Sequence, residues 1–257
     1  MTTPAAQPPL QGRSAVVTGA SAGIGRAVAI DLARAGASVV VNARRQRQLD
    51  ALVDDLRSLG AQATVVPGDA ADESVITRML ETAHDLHAPA DLVVANAGRG
   101  LGGSALTSDR EQWDEMIRIN LTGLASLLRA AGARMLKLNA DAPRDLVVLG
   151  STVGRHVSPF SSMYGATKFA ANSLAEATRR ELGPHGVRVS LIEPGVVVSE
   201  FQSVAGYSDD LVDSFHRKFG PLIEPEDVAR TITFITSQPA HVHINDVVIR
   251  ATKQDYP

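Results

Sequence analysis

The chain has 257 residues, of which 44% are hydrophobic and 21% charged, and its formal net charge is −3. These values are typical of a globular protein, and with no basic excess we expect no nucleic-acid partner. The absence of cysteine excludes disulfides, thiolate metal ligands and a cysteine nucleophile, and it fits a reducing compartment. Residues 1–11 hold three prolines, so we expect a disordered tail rather than a signal peptide or anchor. No apolar run is long enough to span a bilayer, so the cytoplasm is the expected location.

The first predicted elements are a buried strand over 14–18, a glycine-rich turn and a helix with an apolar face. Strand, glycine turn and helix in succession suit a bound pyrophosphate, because the backbone can approach closely and the helix start offers free N–H groups. The alternative is a glycine turn that holds no cofactor, since the spacing is GxxxGxG rather than the common GxGxxG. The candidate cofactor contacts of this turn are Gly19, Ser21, Gly23, Ile24 and Gly25.

The second predicted strand covers 38–42 and is followed by Arg44 and Arg45. A dinucleotide site tests its ribose at this strand end, where a carboxylate favours NAD. Two guanidiniums and no acid match a 2′-phosphate better, so the sequence predicts NADP, with NAD the weaker alternative. The alternative is that both arginines bind no phosphate and are simply solvated at the start of the next helix.

Two further predicted strands, 63–67 and 91–95, each end in small or polar residues. Ligands of open α/β sheets sit at such ends, which makes Asp69, Ala70, Asn96 and Gly98 candidate cofactor contacts. Asp69 is equally suited to bond an adenine or to cap the following helix.

The middle of the chain predicts a long helix over 109–138 and a fifth strand over 145–149. Asn120 lies among apolar residues of that helix, and the pattern alone favours a buried, satisfied polar residue. Ser151 follows the fifth strand, where it projects into the same crevice as the other strand ends or is simply a turn serine.

Tyr164 and Lys168 stand four residues apart in a predicted helix over 161–182, so both side chains leave one helix face. A lysine ammonium beside a phenol lowers the phenol pKa and lets the pair exchange a proton near neutral pH. The bland alternative is a surface pair that happens to share a face. Ser151 precedes Tyr164 by thirteen residues, with a loop between them that is able to fold the serine back.

The second half predicts strands over 187–192 and 244–249, with a sharp break at residues 193–195. Between them, the segment of about residues 200–222 carries four aromatic residues near helical spacing. Such a stripe is more often core than pocket. Its members are Phe201, Tyr207, Phe215 and Phe219.

Taken together, these motifs resemble the short-chain dehydrogenase/reductase family from about Leu10 onwards. The elements that carry the resemblance are Thr18-Gly-Ala-Ser-Ala-Gly-Ile-Gly25, Asn96-Ala-Gly98, Asn120-x-x-Gly123, Ser151, Tyr164-x-x-x-Lys168 and Pro194-Gly195. The resemblance implies one Rossmann-type domain over 12–257, with a doubly wound, parallel, seven-stranded sheet and helices on both faces. It also implies that residues of about 200–222 cap the substrate.

The same resemblance implies roles for individual residues. Ser151, Tyr164, Lys168 and Asn120 become the catalytic set, and Tyr164 and Lys168 also contact the cofactor. Pro194, Gly195, Val197 and Ser199 are expected along the nicotinamide. No metal is required, and the alanine-rich helix of Lys168 is expected to pair subunits in a homotetramer or homodimer.

The resulting functional hypothesis is an NADP(H)-dependent oxidoreductase that interconverts a secondary alcohol and a ketone or aldehyde, with tyrosine as general acid and base. Residues 238–250 resemble the branch that holds 3-hydroxy acid and serine dehydrogenases, and also reductases of antibiotic pathways. An acidic substrate would need a cation facing the pocket, for which Arg99, Arg155 and His156 are candidates. Simple solvent exposure is the favoured alternative for all three. The alternatives are a bulkier neutral ketone from secondary metabolism, or a non-catalytic dinucleotide-binding regulator.

Overall fold

The computed structural model describes residues 7–256, with the Leu86 side chain left aside. Its centre is one sheet of seven parallel strands in the order β3-β2-β1-β4-β5-β6-β7. The strands are β1 (Ser14–Thr18), β2 (Ser38–Ala43), β3 (Ala63–Pro67), β4 (Leu92–Ala95), β5 (Asp145–Leu149), β6 (Arg188–Pro194) and β7 (Asp246–Ile249). The predicted doubly wound parallel sheet is confirmed.

Nine α-helices lie among the described residues, and they cover both faces of the sheet. They are α1 (Gly23–Arg34), α2 (Gln46–Ser58), α3 (Glu73–Leu86), α4 (Trp113–Ile117), α5 (Leu124–Met135), α6 (Ser162–Leu182), α7 (Phe201–Val204), α8 (Asp209–Phe219) and α9 (Pro225–Thr236). Helices α1, α2 and α9 form one buried core with the sheet, whereas α3, α5 and α6 form the other.

The strands read as continuous apolar runs because the sheet is buried on both faces. Successive side chains of a strand point to opposite faces, so Ala15 and Val17 join the core under α1 while Val16 joins the core under α3. All three are 0% exposed. This alternation is hidden in the sequence, since both directions lead to an apolar layer.

Two predicted boundaries need correction. Residues 1–6 of the expected tail lie outside the described residues, but the disorder predicted for residues 7–11 is wrong. Leu10 is 1% exposed, and its N–H donates to the Ala35 carbonyl at 2.8 Å, which fixes the segment against the end of α1. Strand β6 does not break at Glu193 but continues to Pro194, which pairs with Ile249 of β7.

The long helix predicted over 109–138 is divided by a π-helical turn. A 3₁₀ turn over Arg110–Gln112 leads into α4, the π turn covers Arg118–Gly123, and α5 follows directly, with helical φ and ψ at each junction. The π turn admits a residue beyond the 3.6 periodicity, which is a frequent device at functional sites. Here it holds Asn120, which is 4% exposed.

The sheet order reverses between β1 and β4, because the chain winds outward in one direction from β1 and in the other from β4. Ligands of such sheets sit at the carboxyl ends of the strands beside this switch point. Among the described residues, no helix has both the length and the apolar character that crossing a bilayer demands.

Candidate active site

The glycine-rich turn between β1 and α1 forms the floor of a cleft. Gly19 and Gly23 have φ angles of 66° and 53°, a region that L residues with side chains rarely adopt. A Cβ atom at Gly25 would lie 2.5 Å from the Gly19 carbonyl oxygen and 2.5 Å from Asn96 Nδ2. The turn therefore tolerates no side chain at these points, and its backbone stays open to a close ligand.

Asn96 braces this turn from the neighbouring strand end. Its Nδ2 donates to the Thr18 carbonyl at 2.9 Å, and its own N–H donates to Thr18 Oγ1 at 3.1 Å. Gly98 follows directly, and a Cβ atom there would lie 3.1 Å from Asn120 Oδ1. The two candidate residues after β4 thus shape the cleft wall.

Cationic side chains stand at the far end of the cleft. Arg45 Nε donates to Ser21 Oγ at 3.1 Å, and its Nη1 lies 2.9 Å from the Glu200 carboxylate. Arg44 is largely exposed, and its Nη1 lies 3.5 Å from Glu115. The glycine turn, the start of α1 and this pair of guanidiniums fit a dinucleotide carrying a 2′-phosphate.

Asp69 is held in place by protein groups after β3. Its Oδ1 accepts from the Ala71 N–H at 2.9 Å, and Arg118 forms an ion pair with it. Burial favours a higher pKa for Asp69, but the Ala71 and Arg118 hydrogen bonds outweigh it and hold the pKa below its ordinary value. Of the two roles predicted for Asp69, helix capping is excluded, since Asp72 caps α3 by accepting from the Ser74 N–H.

Two cavities meet at the carboxyl ends of the strands. One, of about 390 Å³, follows the glycine turn and the ends of β2, β3 and β4. The other, of about 490 Å³, lies beyond the end of β5 and under the 200–222 segment. Ile24, Ser199 and Phe201 line both, so an elongated ligand that spans the two cavities would pass these residues.

Most predicted cofactor residues line one of these cavities. The first cavity is lined by Gly19, Ser21, Gly23, Ile24, Arg44, Arg45, Asp69, Ala70, Asn96, Gly98 and Ser199. The second is lined by Ile24, Tyr164, Pro194, Gly195, Val197 and Ser199. Gly25 and Lys168 line neither, since a Cβ on Gly25 would meet the Gly19 carbonyl within the turn and Lys168 is a buried side chain, 9% exposed.

Ser151 and Tyr164 share the wall of the second cavity, although they come from the end of β5 and from α6. The Ser151 side chain is near enough to favour the ionised form of the phenol and so to lower the Tyr164 pKa, against the effect of burial. Lys168 Nζ lies 5.8 Å from the Tyr164 ring centroid and donates to the Leu149 carbonyl at 2.7 Å. The three side chains form one cluster, in which Ser151 and Tyr164 line the cavity and the buried Lys168 ammonium lies near the Tyr164 ring.

The protonation of this cluster differs from the sequence expectation. Burial raises the pKa of Tyr164 well above its usual range, and the hydrogen bond from Ser151 only partly opposes the increase. Burial also lowers the pKa of Lys168 to about 8. The predicted lowering of the phenol pKa by lysine is therefore not found in the protein alone, because desolvation of the buried phenol dominates. The resting tyrosine carries its proton.

Asn120 lies behind the cavities rather than in them. Its Nδ2 donates to the Arg99 carbonyl at 2.9 Å and to Thr167 Oγ1 at 3.1 Å, while its Oδ1 accepts from the Arg99 N–H at 2.9 Å. It thus joins the loop after β4 to α6, one residue before Lys168. The side chain is a satisfied buried amide, and it also orders the loop that borders the cofactor cleft.

The aromatic residues of the 200–222 segment line the second cavity, where sequence reasoning favoured a core position. The ring centroids of Tyr164 and Phe201 lie 5.5 Å apart, those of Phe201 and Tyr207 6.5 Å apart, and those of Tyr207 and Phe215 6.3 Å apart. Phe219 stacks on Phe215 at 6.2 Å. Helical spacing identified the stripe, but only the tertiary packing shows that it faces a cavity.

The three cations considered for an acidic substrate lie outside the second cavity. Arg99 borders the first cavity and donates to Gln112. Arg155 forms ion pairs with Glu193 and Asp246, and His156 Nε2 lies 3.0 Å from Arg250. Among the described residues that line the second cavity, the cationic side chain is Lys218, which sequence reasoning missed.

The open parallel sheet, the glycine turn and the Ser151–Tyr164–Lys168 cluster define a dinucleotide-dependent oxidoreductase. A family model described as short chain dehydrogenase matches residues 13–207. The chain therefore belongs to the short-chain dehydrogenase family, whose members are NAD(P)-dependent dehydrogenases and reductases.

Individual relatives are similar to this protein over nearly the whole of its chain. An uncharacterised oxidoreductase of Staphylococcus epidermidis is 33% identical over 92% of this chain and 96% of its own length. A glycine betaine reductase of Emericella nidulans is 31% identical over 96% of this chain, which spans only 19% of that protein. The solved closed form of a serine dehydrogenase complexed with NADP⁺ is 31% identical, with a TM-score of 0.82 over 94% of this chain and 96% of that one.

Proposed function

We propose that this protein is an NADP(H)-dependent oxidoreductase that interconverts a secondary alcohol and a ketone or aldehyde. The observation that carries the proposal is the pair of hydroxyls, Ser151 and Tyr164, in the cavity that adjoins the dinucleotide cleft. When bound, the nicotinamide supplies or accepts the hydride.

The side chains divide the remaining work. In the reductive direction Tyr164, which is protonated at rest, donates its proton to the carbonyl oxygen as negative charge develops there. Ser151 donates a second hydrogen bond to the same oxygen and fixes its position. The Lys168 ammonium lies behind the phenol and stabilises the phenolate that the transfer leaves.

Arg44, Arg45 and Ser21 support NADP over NAD. Arg44 and Arg45 follow the end of β2, the position that tests the ribose, and Ser21 of the glycine turn accepts from Arg45 Nε. The similar serine dehydrogenase was solved with NADP⁺. Each arginine faces one carboxylate, Glu115 or Glu200, and a doubly charged phosphate competes favourably with such exposed pairs.

The cavity supports a neutral, largely apolar ketone more than a 3-hydroxy acid. Four rings of the 200–222 segment border it, and Lys218, the cationic side chain among its described lining residues, is largely exposed, 3.5 Å from Asp255 and 4.8 Å from the Phe219 ring centroid. A substrate carboxylate would therefore meet no buried cation among the described lining residues, and its desolvation would be costly. The likeness to a serine dehydrogenase keeps the acid as the second candidate.

The decisive experiment replaces Tyr164 with phenylalanine. We expect Tyr164→Phe to bind NADPH as the wild type does, while turnover falls by a factor of about 10² to 10⁴, because the proton donor is lost. Tyr207→Phe is the matched control, since it removes a phenol from the same cavity and should change kcat only a few-fold. Full activity in Tyr164→Phe would contradict the mechanism and favour a non-catalytic dinucleotide-binding regulator.

The expected homotetramer or homodimer stays a prediction of the family resemblance.

A further inference from the structure

Glu193 is a buried carboxylate that the proposed chemistry leaves unused. It lies in β6, two residues before Gly195 of the cavity wall, and it is 0% exposed. A buried charge is costly unless it is paired and hydrogen-bonded. Burial raises the pKa of the Glu193 carboxyl, and the Arg155 guanidinium beside it opposes that increase and favours the ionised form.

Two groups from other elements bind this carboxylate. Asn172 Nδ2 donates to one oxygen at 2.6 Å, and Arg155 Nε donates to the other. Asn172 also donates to the Gly154 carbonyl at 3.1 Å. The three side chains form the Glu193 cluster, which consists of Glu193, Asn172 and Arg155.

The Glu193 cluster contacts both ends of the short loop that carries Ser151. Before the serine, a Cβ atom on Gly150 would lie 2.9 Å from Asn172 Oδ1 and 3.0 Å from Glu193 Cγ, so the backbone is packed directly on the pair. After the serine, the cluster binds the Gly154 carbonyl and includes Arg155. Ser151 lies between the two anchored ends.

The same cluster ties the loop to the helix of the other catalytic residues. Asn172 follows Lys168 by four positions and Tyr164 by eight, so all three leave one face of α6. Any displacement of the loop relative to α6 must therefore break contacts of the buried carboxylate.

We propose that Glu193 is a positioning residue that, through Asn172 and Arg155, sets the Ser151 hydroxyl at its working distance from Tyr164. The inference rests on the proposed function, because it assigns a role in the reaction for which Ser151 is needed. Displacement of a reacting group by about 1 Å can lower the rate by a factor of about 10². The Glu193 cluster can therefore affect the reaction rate although it contacts no substrate.

The test measures Glu193→Gln in two backgrounds, the wild type and Ser151→Ala. Glutamine keeps the shape and an acceptor for Asn172 but loses the charge that holds Arg155. In the wild-type background we expect kcat to fall about tenfold or more, with the NADPH dissociation constant unchanged within about twofold. In the Ser151→Ala background the same change should lower the residual kcat by less than about twofold, because no hydroxyl remains to be positioned.

Equal losses in both backgrounds would overturn the proposal, since they indicate a general structural effect, and so would an unchanged kcat in the wild-type background. Failure of the proposed function gives a different result, because Ser151→Ala alone would then retain full activity. If Glu193→Gln does not fold, Asn172→Ala serves as the second variant with the same expected dependence on background. Asp246→Asn is the matched control, since it removes the outer partner of Arg155 and leaves Glu193 intact.

Discussion

The buried Lys168 ammonium should lower the free energy of unfolding of the nucleotide-free protein, and a neutral side chain at this position should raise it. Its pKa falls from the usual 10.5 to about 8 through burial, and such a difference corresponds to about 3 kcal/mol of unfavourable interaction in the charged form. Lys168→Met has a similar length and no charge, but it also removes the hydrogen bond to the Leu149 carbonyl, worth about 1 kcal/mol. We therefore expect the variant to be more stable than wild type by about 2 kcal/mol at pH 7.

The destabilisation caused by the Lys168 ammonium should decrease as the pH rises. Below pH 8 the folded protein holds the charged lysine and bears the full penalty, and between about pH 8 and 10.5 the unfolded chain binds more protons than the folded one. Wild-type stability attributable to Lys168 should thus rise with pH over this range. The advantage of Lys168→Met should shrink to less than about 1 kcal/mol by about pH 9.5.

Urea unfolding of the nucleotide-free proteins at pH 7 and pH 9.5 measures both differences. Lys137→Met is the matched control, because Lys137 is exposed and its replacement should leave the free energy of unfolding nearly unchanged at either pH. The reasoning would be refuted by a Lys168→Met variant that is less stable at pH 7, or by a difference that stays constant with pH. Loss of turnover in the same variant, despite the gain in stability, is the expected functional result.

Three further predictions concern the cofactor and the substrate. Arg44→Ala should weaken NADPH binding about tenfold and leave NADH binding nearly unchanged in a fluorescence titration, since a charge-assisted contact to the 2′-phosphate is lost; an unchanged NADPH preference would contradict this assignment. Gly25→Ala should lose nucleotide affinity and about 1–3 kcal/mol of stability because its Cβ would lie 2.5 Å from a backbone oxygen, whereas Gly183→Ala, which meets open space, should do neither; equal effects would argue against the crowding. In steady-state assays with NADPH, an aryl alkyl ketone should be reduced with at least a tenfold higher kcat/KM than its carboxylate-bearing analogue, and the opposite order would show that Lys218 or another cation serves an acid.

The strands and the glycine turn were predictable from the sequence because their signals are local. A parallel strand buried on both faces requires an apolar run, and residues 14–18, 63–67 and 145–149 gave boundaries that the structure reproduces. The glycine turn is likewise local, since the positive φ at Gly19 and Gly23 restricts those positions to glycine.

What the sequence left open depends on contacts between distant residues. Helical spacing indicated an aromatic stripe in residues 200–222, but whether it faces a core or a cavity depends on which surface the segment covers. The prediction of a lowered Tyr164 pKa was wrong for a related reason. Spacing revealed the nearby lysine but not the burial of the phenol, which raises the pKa. The role of Glu193 was hidden because its partners, Arg155 and Asn172, lie 38 and 21 residues away along the chain.

Because of the π-helical turn, the number of residues between α4 and α5 matters more to the packing of these helices than the identity of their exposed residues. Each residue added to or removed from an α-helix rotates everything beyond it by about 100° about the axis. Met116 of α4 and Leu127 of α5 are both buried, and the turn between them sets the phase that allows this while aiming Asn120 at the loop after β4. Exposed positions of this stretch can therefore vary freely in composition, whereas a single insertion or deletion within it would turn one half of the stretch out of its core.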